Sequence, residues 1–326
     1  MKKRYWIAGA CGLVGGALAM RMFLRPRDVD WAEHAPELHH AEHSRFAEIE
    51  GVRVHYQEAG DTDAPPIFLI HGFTASNFVW NDVLLQIAEA GFRVIAPDLV
   101  GFGFSAKPKD GEYTIEAQAR MITGLMNHLG IENATLVGSS YGGAVAATCA
   151  LDYPERVKRL VLVDAVINDH ARSRPLLRLA ASPLIGDLVS PLMLGSRKLV
   201  HSQLKRGYAR ENRHLFDERR MTAHHRPLLA SSTQRAALKT LRRWQATRIE
   251  SNAHSIQQPT LLVWGEDDPE IPLAHGRKLF DEMPNARLVV LQSCGHMPME
   301  ERPREFTEVL TRFCAAERES AQASRA

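Results

Sequence analysis

The tightest constraint on the fold is a short apolar run at 134–137 that enters Gly138-Ser139-Ser140-Tyr141-Gly142-Gly143 and continues into helix formers at 144–150. A buried strand must turn sharply there into a helix, and glycines on both sides of Ser140 let the two backbones approach closely. Similar apolar runs recur at 66–70, 93–97, 160–163, 260–264 and 288–291, mostly separated by helix-length stretches. Continuous rather than alternating apolar runs are expected of parallel strands covered on both faces. Before them, 46–49 and 52–57 alternate around Glu50-Gly51, as in a two-stranded hairpin. The pattern predicts an α/β fold with a mostly parallel sheet flanked by helices.

That rhythm breaks between Asp164 and Thr260, where helical patterning and prolines replace strands. Residues 167–256 are therefore expected to form a helical cap, inserted between a first core part at 46–166 and a second at 257–316. The cap holds 17 Lys+Arg against 6 Asp+Glu, a net of +11; with 40 and 38 in the whole chain, the remainder holds 23 and 32 and is −9. With 45% hydrophobic and 24% charged residues the chain is globular. Residues 28–45 read as a linker and 317–326 as a frayed tail. Cys11, Cys149, Cys294 and Cys314 are scattered without metal-site or redox spacing, so neither a disulfide framework nor a metal is expected.

A serine at the strand-to-helix turn is exposed, and the helix behind it points N–H groups at the same place, favouring negative charge on an attacked carbonyl. Serine needs a base held by a third group. His296, after the 288–291 strand, and Asp268, after the 260–264 strand, supply them at the carboxyl ends of strands, where an open sheet forms its ligand crevice. Glu266, Asp267 and, at the end of the preceding strand, Asp164 are rival acids. Backbone N–H groups of Phe73 and Tyr141 are candidates for the oxyanion hole, and His71 is expected to organise its loop rather than act as a second base. The glycine-rich turn from Asp98 to Ser105 lacks a phosphate-binding spacing and is taken as shaping the site. No cofactor is expected.

Together, His71-Gly72-Phe73, Asp98-x-x-Gly101-x-Gly103-x-Ser105, Gly138-x-Ser140-x-Gly142, Gly265-x-x-Asp268 and Gly295-His296 resemble the α/β-hydrolase superfamily over roughly residues 46–316. The resemblance implies an α/β-hydrolase fold with an eight-stranded sheet and a cap after the sixth strand. A serine at the turn, where haloalkane dehalogenases and epoxide hydrolases carry aspartate, points to the serine esterase and lipase branch. The architecture is similar to membrane-associated monoacylglycerol lipases.

Lys2, Lys3 and Arg4 precede an apolar run from Tyr5 to Met20, so residues 1–27 are expected to be a membrane anchor, with the catalytic domain outside the cytoplasm. Cleavage near Ala17-Leu18-Ala19, leaving a secreted or periplasmic protein, is the alternative. The leucine-rich 176–194 stretch suits an acyl pocket or an interface. Basic pairs Lys205-Arg206, Arg219-Arg220 and Arg242-Arg243 suit an anionic membrane surface. The expected substrate is a small-molecule lipophilic ester; nucleic acid is not an expected partner, and the oligomeric state is left open. A C–C bond hydrolase of ring-cleavage products, using the same three residues, and a catalytically silent binding protein are the alternatives.

Overall fold

The computed structural model describes residues 25–170, 175–183 and 185–323. One eight-stranded sheet runs in the order β1-β2-β4-β3-β5-β6-β7-β8. β1 (Ser44–Ile49) and β2 (Val52–Ala59) form the antiparallel hairpin, and β2 also runs antiparallel to β4 (Arg93–Pro97). The pairs among β3 (Pro66–Ile70), β4, β5 (Ala134–Ser139), β6 (Val157–Val163), β7 (Thr260–Gly265) and β8 (Ala286–Leu291) are all parallel. β6 begins at Val157, earlier than hydrophobicity marks it. Lys158 and Arg159 interrupt the apolar run, and the ladder shifts register there, since Ala134 pairs with Val157 and Thr135 with Arg159, leaving Lys158 bulged out.

The apolar runs are continuous because alternate residues feed opposite faces. Phe68, Ile70, Leu160, Leu162, Leu262 and Trp264 belong to one buried cluster, and Ile67, Leu69, Val161, Val163, Leu261 and Val263 to the other. The long helices follow in chain order as α1 (Leu84–Glu89), α2 (Ile115–His128), α3 (Tyr141–Asp152), α4 (Pro175–Ala181), α5 (Ile185–Leu194), α6 (Arg197–Gly207), α7 (Glu218–His225), α8 (Ser231–Arg242), α9 (Leu273–Glu282) and α10 (Pro303–Ala323). α2, α3 and α9 cover the first face, while α1 and α10 close the second with Leu84, Ile87, Phe306 and Leu310. Each such large apolar side chain contributes about 1.5–3 kcal/mol on full burial. Both faces are thereby sealed, and only the strand ends remain for chemistry.

The described segments between β6 and β7 are helical or irregular and include α4 to α8. Part of the leucine-rich stretch stays on the surface, with Leu179, Ile185 and Leu188 exposed, while Leu177 packs on the core. Several cap cations are engaged within the chain. Arg242 pairs with Asp187 at 2.9 Å, Arg243 donates to the Gly111 carbonyl at 3.1 Å, and Arg220 bonds Asp82 and Glu300.

Two regions depart from expectation. Residues 28–45 carry the short helix Trp31–His34, N-capped by Asp30, and they dock instead of tethering. Trp31 packs edge-on against Phe46 and Phe104, and Asp28 pairs with Lys107 at 2.9 Å. The first N–H groups of α8, which have no partner within their own helix, donate to the Pro26 and Arg27 carbonyls at 2.9 and 3.1 Å. The tail is helical as far as Ala323.

The membrane-anchored location must also be corrected. No helix among the described residues is long and apolar enough to cross a membrane, and the longest, α10, is studded with charged residues. Residues 1–24, which carry most of the expected anchor, lie outside the described residues.

Candidate active site

Ser140 sits between β5 and α3 with φ 53° and ψ −119°, a conformation that costs about 1–3 kcal/mol and persists only when its surroundings impose it. They do so through hydrogen bonds. Ser140 N–H donates to the Val163 carbonyl at 2.9 Å, and the Ser140 carbonyl accepts from Val166 and Gly143 at 3.0 Å. The flanking glycines are required by space. A Cβ on Gly142 would lie 2.2 Å from the Ile70 carbonyl oxygen, and one on Gly138 would lie 2.2 Å from that of Gly142.

His296 and Asp268 come together from the ends of β8 and β7. His296 Nδ1 donates to Asp268 Oδ2 at 2.7 Å, and Asp268 Oδ1 accepts from Glu270 N–H at 2.7 Å and Ile271 N–H at 3.1 Å. The acid is thus oriented by its own loop, and the histidine by the acid. Of the rival acids, Glu266 and Asp267 are exposed. Asp164 is fully buried beside Asp268, and donor atoms of Asp164, Asp268 and His296 all lie within 4.8 Å of one another. His296 Nδ1 is turned onto Asp268, so the trio is an acid–base cluster before it is a candidate metal site.

Gly72 and Phe73 lie across from the serine, where a Cβ on Gly72 would sit 3.1 Å from Ser140 Cβ. The Phe73 and Tyr141 rings are 6.3 Å apart, and Trp244, from the cap, stands 5.5 Å from Phe73 and 4.8 Å from Tyr141. Phe73, Tyr141 and Trp244 therefore form one aromatic cluster, with Phe73 following Gly72 and Tyr141 following Ser140.

The loop that carries Phe73 rests on buried polar side chains. His71 donates from Nδ1 to the Gly72 carbonyl at 2.8 Å and accepts Leu99 N–H on Nε2 at 2.9 Å, an arrangement for a neutral ring. Burial holds its pKa below the ordinary histidine value. Asp98 accepts from His55 Nδ1, Asn77 N–H and Phe104 N–H at 2.7, 2.7 and 2.8 Å. Burial pushes its carboxyl up, but His55, His71 and the Phe104 N–H more than offset this and hold it below the usual value. The glycine-rich turn is folded around this carboxylate, since a Cβ on Gly103 would lie 2.1 Å from it. Its residues shape the turn.

The cap's grip on the His296 loop was not visible in the residue pattern. His296 N–H donates to the Gly207 carbonyl at 2.8 Å. Glu301 accepts from Gly295 and Met297 N–H, on both sides of His296, and from Ala209 N–H and Asn212 Nδ2 in the cap. Glu300 accepts from Tyr208 Oη and bonds His224 at 3.0 Å and Arg220 at 3.2 Å. Its negative charge and burial push the Tyr208 hydroxyl pKa up, burial being the larger cause. The only local signal was two adjacent acids four and five positions after a histidine.

A family model described as the alpha/beta hydrolase fold matches residues 65–184 and 196–303. The chain is 32% identical over 297 residues to a 2-hydroxy-6-oxononadienedioate/2-hydroxy-6-oxononatrienedioate hydrolase of Comamonas testosteroni, covering 86% of this chain and 99% of the relative. A 2-hydroxy-6-oxo-6-phenylhexa-2,4-dienoate hydrolase of the same organism is 31% identical over 295 residues, covering 85% and 98%. Among solved structures, a bacterial membrane phospholipase A superposes with TM-score 0.72 and 25% identity, over 98% of this chain and 99% of that one.

Proposed function

This chain belongs to the α/β-hydrolase family, and on that premise we propose that it hydrolyses a carbon–carbon bond of a 2-hydroxy-6-oxo-dienoate, the ring-cleavage type of substrate, through Ser140. The observation that carries the choice is the similarity to two such hydrolases at 31–32% identity over nearly their whole length.

In this reading His296 takes the Ser140 proton as the hydroxyl attacks the ketone carbonyl, and Asp268 holds the imidazole in the required tautomer. The Phe73 and Tyr141 N–H groups stabilise the oxyanion. The carbon–carbon bond breaks after the dienol proton has moved from the 2-hydroxyl to C5; its electrons then delocalise as a dienolate onto the 2-oxo group, whose oxygen receives the proton back from His296. Water, deprotonated by His296, then releases the acyl group from Ser140, so one water is consumed per turnover.

Hydrolysis of a lipophilic ester is the second reading, favoured by the likeness to the membrane phospholipase over 98% of the chain and by exposed Leu179, Ile185 and Leu188 on the cap. Its acyl-enzyme step is the same, with an alcohol leaving. The two readings separate when purified protein is given 2-hydroxy-6-oxo-6-phenylhexa-2,4-dienoate, whose chromophore bleaches on cleavage, and p-nitrophenyl esters from acetate to palmitate. Turnover of the dienoate, lost in Ser140→Ala, supports the first reading; turnover of esters alone replaces it with the second.

A further inference from the structure

Asp164 closes β6 in the left-handed region, at φ 43°, and its side chain is wholly buried. One carboxyl oxygen, Oδ1, accepts Gly265 N–H at 2.9 Å, while Oδ2 meets no donor. The group against it is another acid, since a carboxyl oxygen of Asp164 and one of Asp268 lie within 4.8 Å of each other. Asp268 has two backbone N–H groups and the His296 ring pointing at its oxygens, so it is the member of the pair built to hold the negative charge. Two adjoining buried carboxylates do not both ionise, and the proton falls to the one with fewer donors.

We propose that Asp164 is a positioning residue for the hydrolytic relay: as a neutral carboxylic acid it donates its proton to the Asp268 carboxylate, and through Asp268 it fixes the orientation and basicity of His296. Every atom of the group then has a use. Oδ1 accepts from Gly265, and the oxygen left without a donor becomes a donor itself. The titratable groups around Asp164 are Asp268, His296, Glu301 and Cys294, and Arg302, whose charge reaches Cys294, is tied to the Gln292 and Ser293 carbonyls. Burial is the largest influence on Asp164, followed by the Asp268 charge, with Glu301 adding to it. Against the Gly265 N–H they hold the carboxyl well above the usual range. An O–H donor withdraws charge from Asp268 and so lowers the proton affinity that Asp268 confers on His296. The two-acid site at the ends of β6 and β7 is thus one acid and its hydrogen-bond donor, not a choice between acids.

This inference rests on the Ser140–His296–Asp268 relay of the proposed function, so its test uses a probe that needs no knowledge of the substrate. The rate at which a fluorophosphonate labels Ser140 is followed against pH in the full chain, for wild type, Asp164→Ala and Asp164→Asn. Alanine removes the donor, and labelling should slow about tenfold or more, with its midpoint pH displaced upward by about one unit as Asp268 regains charge. Asparagine can accept from Gly265 and donate to Asp268 together, and should restore the rate to within about threefold of wild type with the wild-type midpoint. A midpoint that instead falls by about one unit in Asp164→Asn means Asp164 is ionised in the native protein and overturns the proposal. So does labelling of Asp164→Asn as slow as a misfolded control while wild type labels normally. Wild-type chain that resists the probe altogether removes the relay itself, a different failure from either.

Discussion

Glu301→Ala tests the claim that the cap and the histidine loop are joined by one carboxylate. The side chain is 4% exposed and accepts from four donors: Gly295 N–H, Met297 N–H, Ala209 N–H and Asn212 Nδ2. A hydrogen bond to a charged group contributes about 1.5–3 kcal/mol, so simple addition gives about 6–12 kcal/mol. Bonds that share one acceptor do not add, and water entering the vacated space satisfies part of the loss. Removing one partner from a buried charged network costs about 3–5 kcal/mol, which is the expected destabilisation. At about 2–4 °C per kcal/mol for a domain of this size, the melting temperature should fall by about 6–20 °C. Glu301→Gln keeps the volume and one accepting oxygen but turns an amide donor toward N–H groups, and should lose roughly half as much. Guanidinium unfolding gives the free energy, and Ser140 labelling by a fluorophosphonate gives the state of the site. Because Gly295 and Met297 flank His296, labelling should slow under conditions where the variant is still folded. An alanine variant within about 0.5 kcal/mol of wild type, labelling at the wild-type rate, would refute the reasoning.

Ser140→Ala should lower turnover about 10³-fold or more with no loss of stability, measured on whichever of the dienoate and ester substrates the wild type accepts. Asp268→Asn should lower kcat by about 10⁴-fold while circular dichroism stays unchanged, since the amide permits the wrong histidine tautomer. Gly142→Ala, which sets a methyl against the Ile70 carbonyl, should cost about 1–3 kcal/mol in guanidinium unfolding and abolish labelling of Ser140 by displacing the turn. Stability should fall with acid in two windows. The lowered His71 pKa contributes stability present above about pH 6.5 and lost as pH falls through its folded value, and Asp98 does the same below about pH 4. Asp164 has the opposite sign, because its folded pKa is raised. Its contribution is fully present below about pH 4 and is lost as pH rises, so Asp164→Asn should flatten that slope in a pH series of unfolding midpoints.

What could be read from the sequence is what short-range pattern determines. A strand covered on both faces must be apolar at every position, which is why the β3, β5 and β7 runs stand out. The strand–turn–helix around Ser140 is legible because close backbone contacts leave no room for a side chain at Gly138 and Gly142. His296 and Asp268 followed from their places after strands. The docking of residues 28–45 was not legible, because its partners are remote: the α8 N–H groups that bind Pro26 and Arg27 begin at Ser231. The intrachain partners of the cap cations were not legible for the same reason. Arg220 and Arg242 read as a surface field until the fold brings Asp82, Glu300 and Asp187 to them.

The position of His296 also depends on contacts of this long-range kind. Asp268 fixes the His296 ring, but its backbone is fixed by Gly207 and by Glu301, which takes its other two donors from the cap, 89 and 92 positions away in sequence. Any displacement of the α6 terminus must therefore break the His296 N–H bond or carry the histidine with it. Trp244, on the same cap, stands against Phe73 and Tyr141. Cap and catalytic loop consequently form one mechanical unit: a change that loosens the cap at Glu301 is expected to act on the acylation rate through His296, and a change at Trp244 on substrate binding. Two variants, one on each side of the contact between cap and core, would then separate kcat from KM.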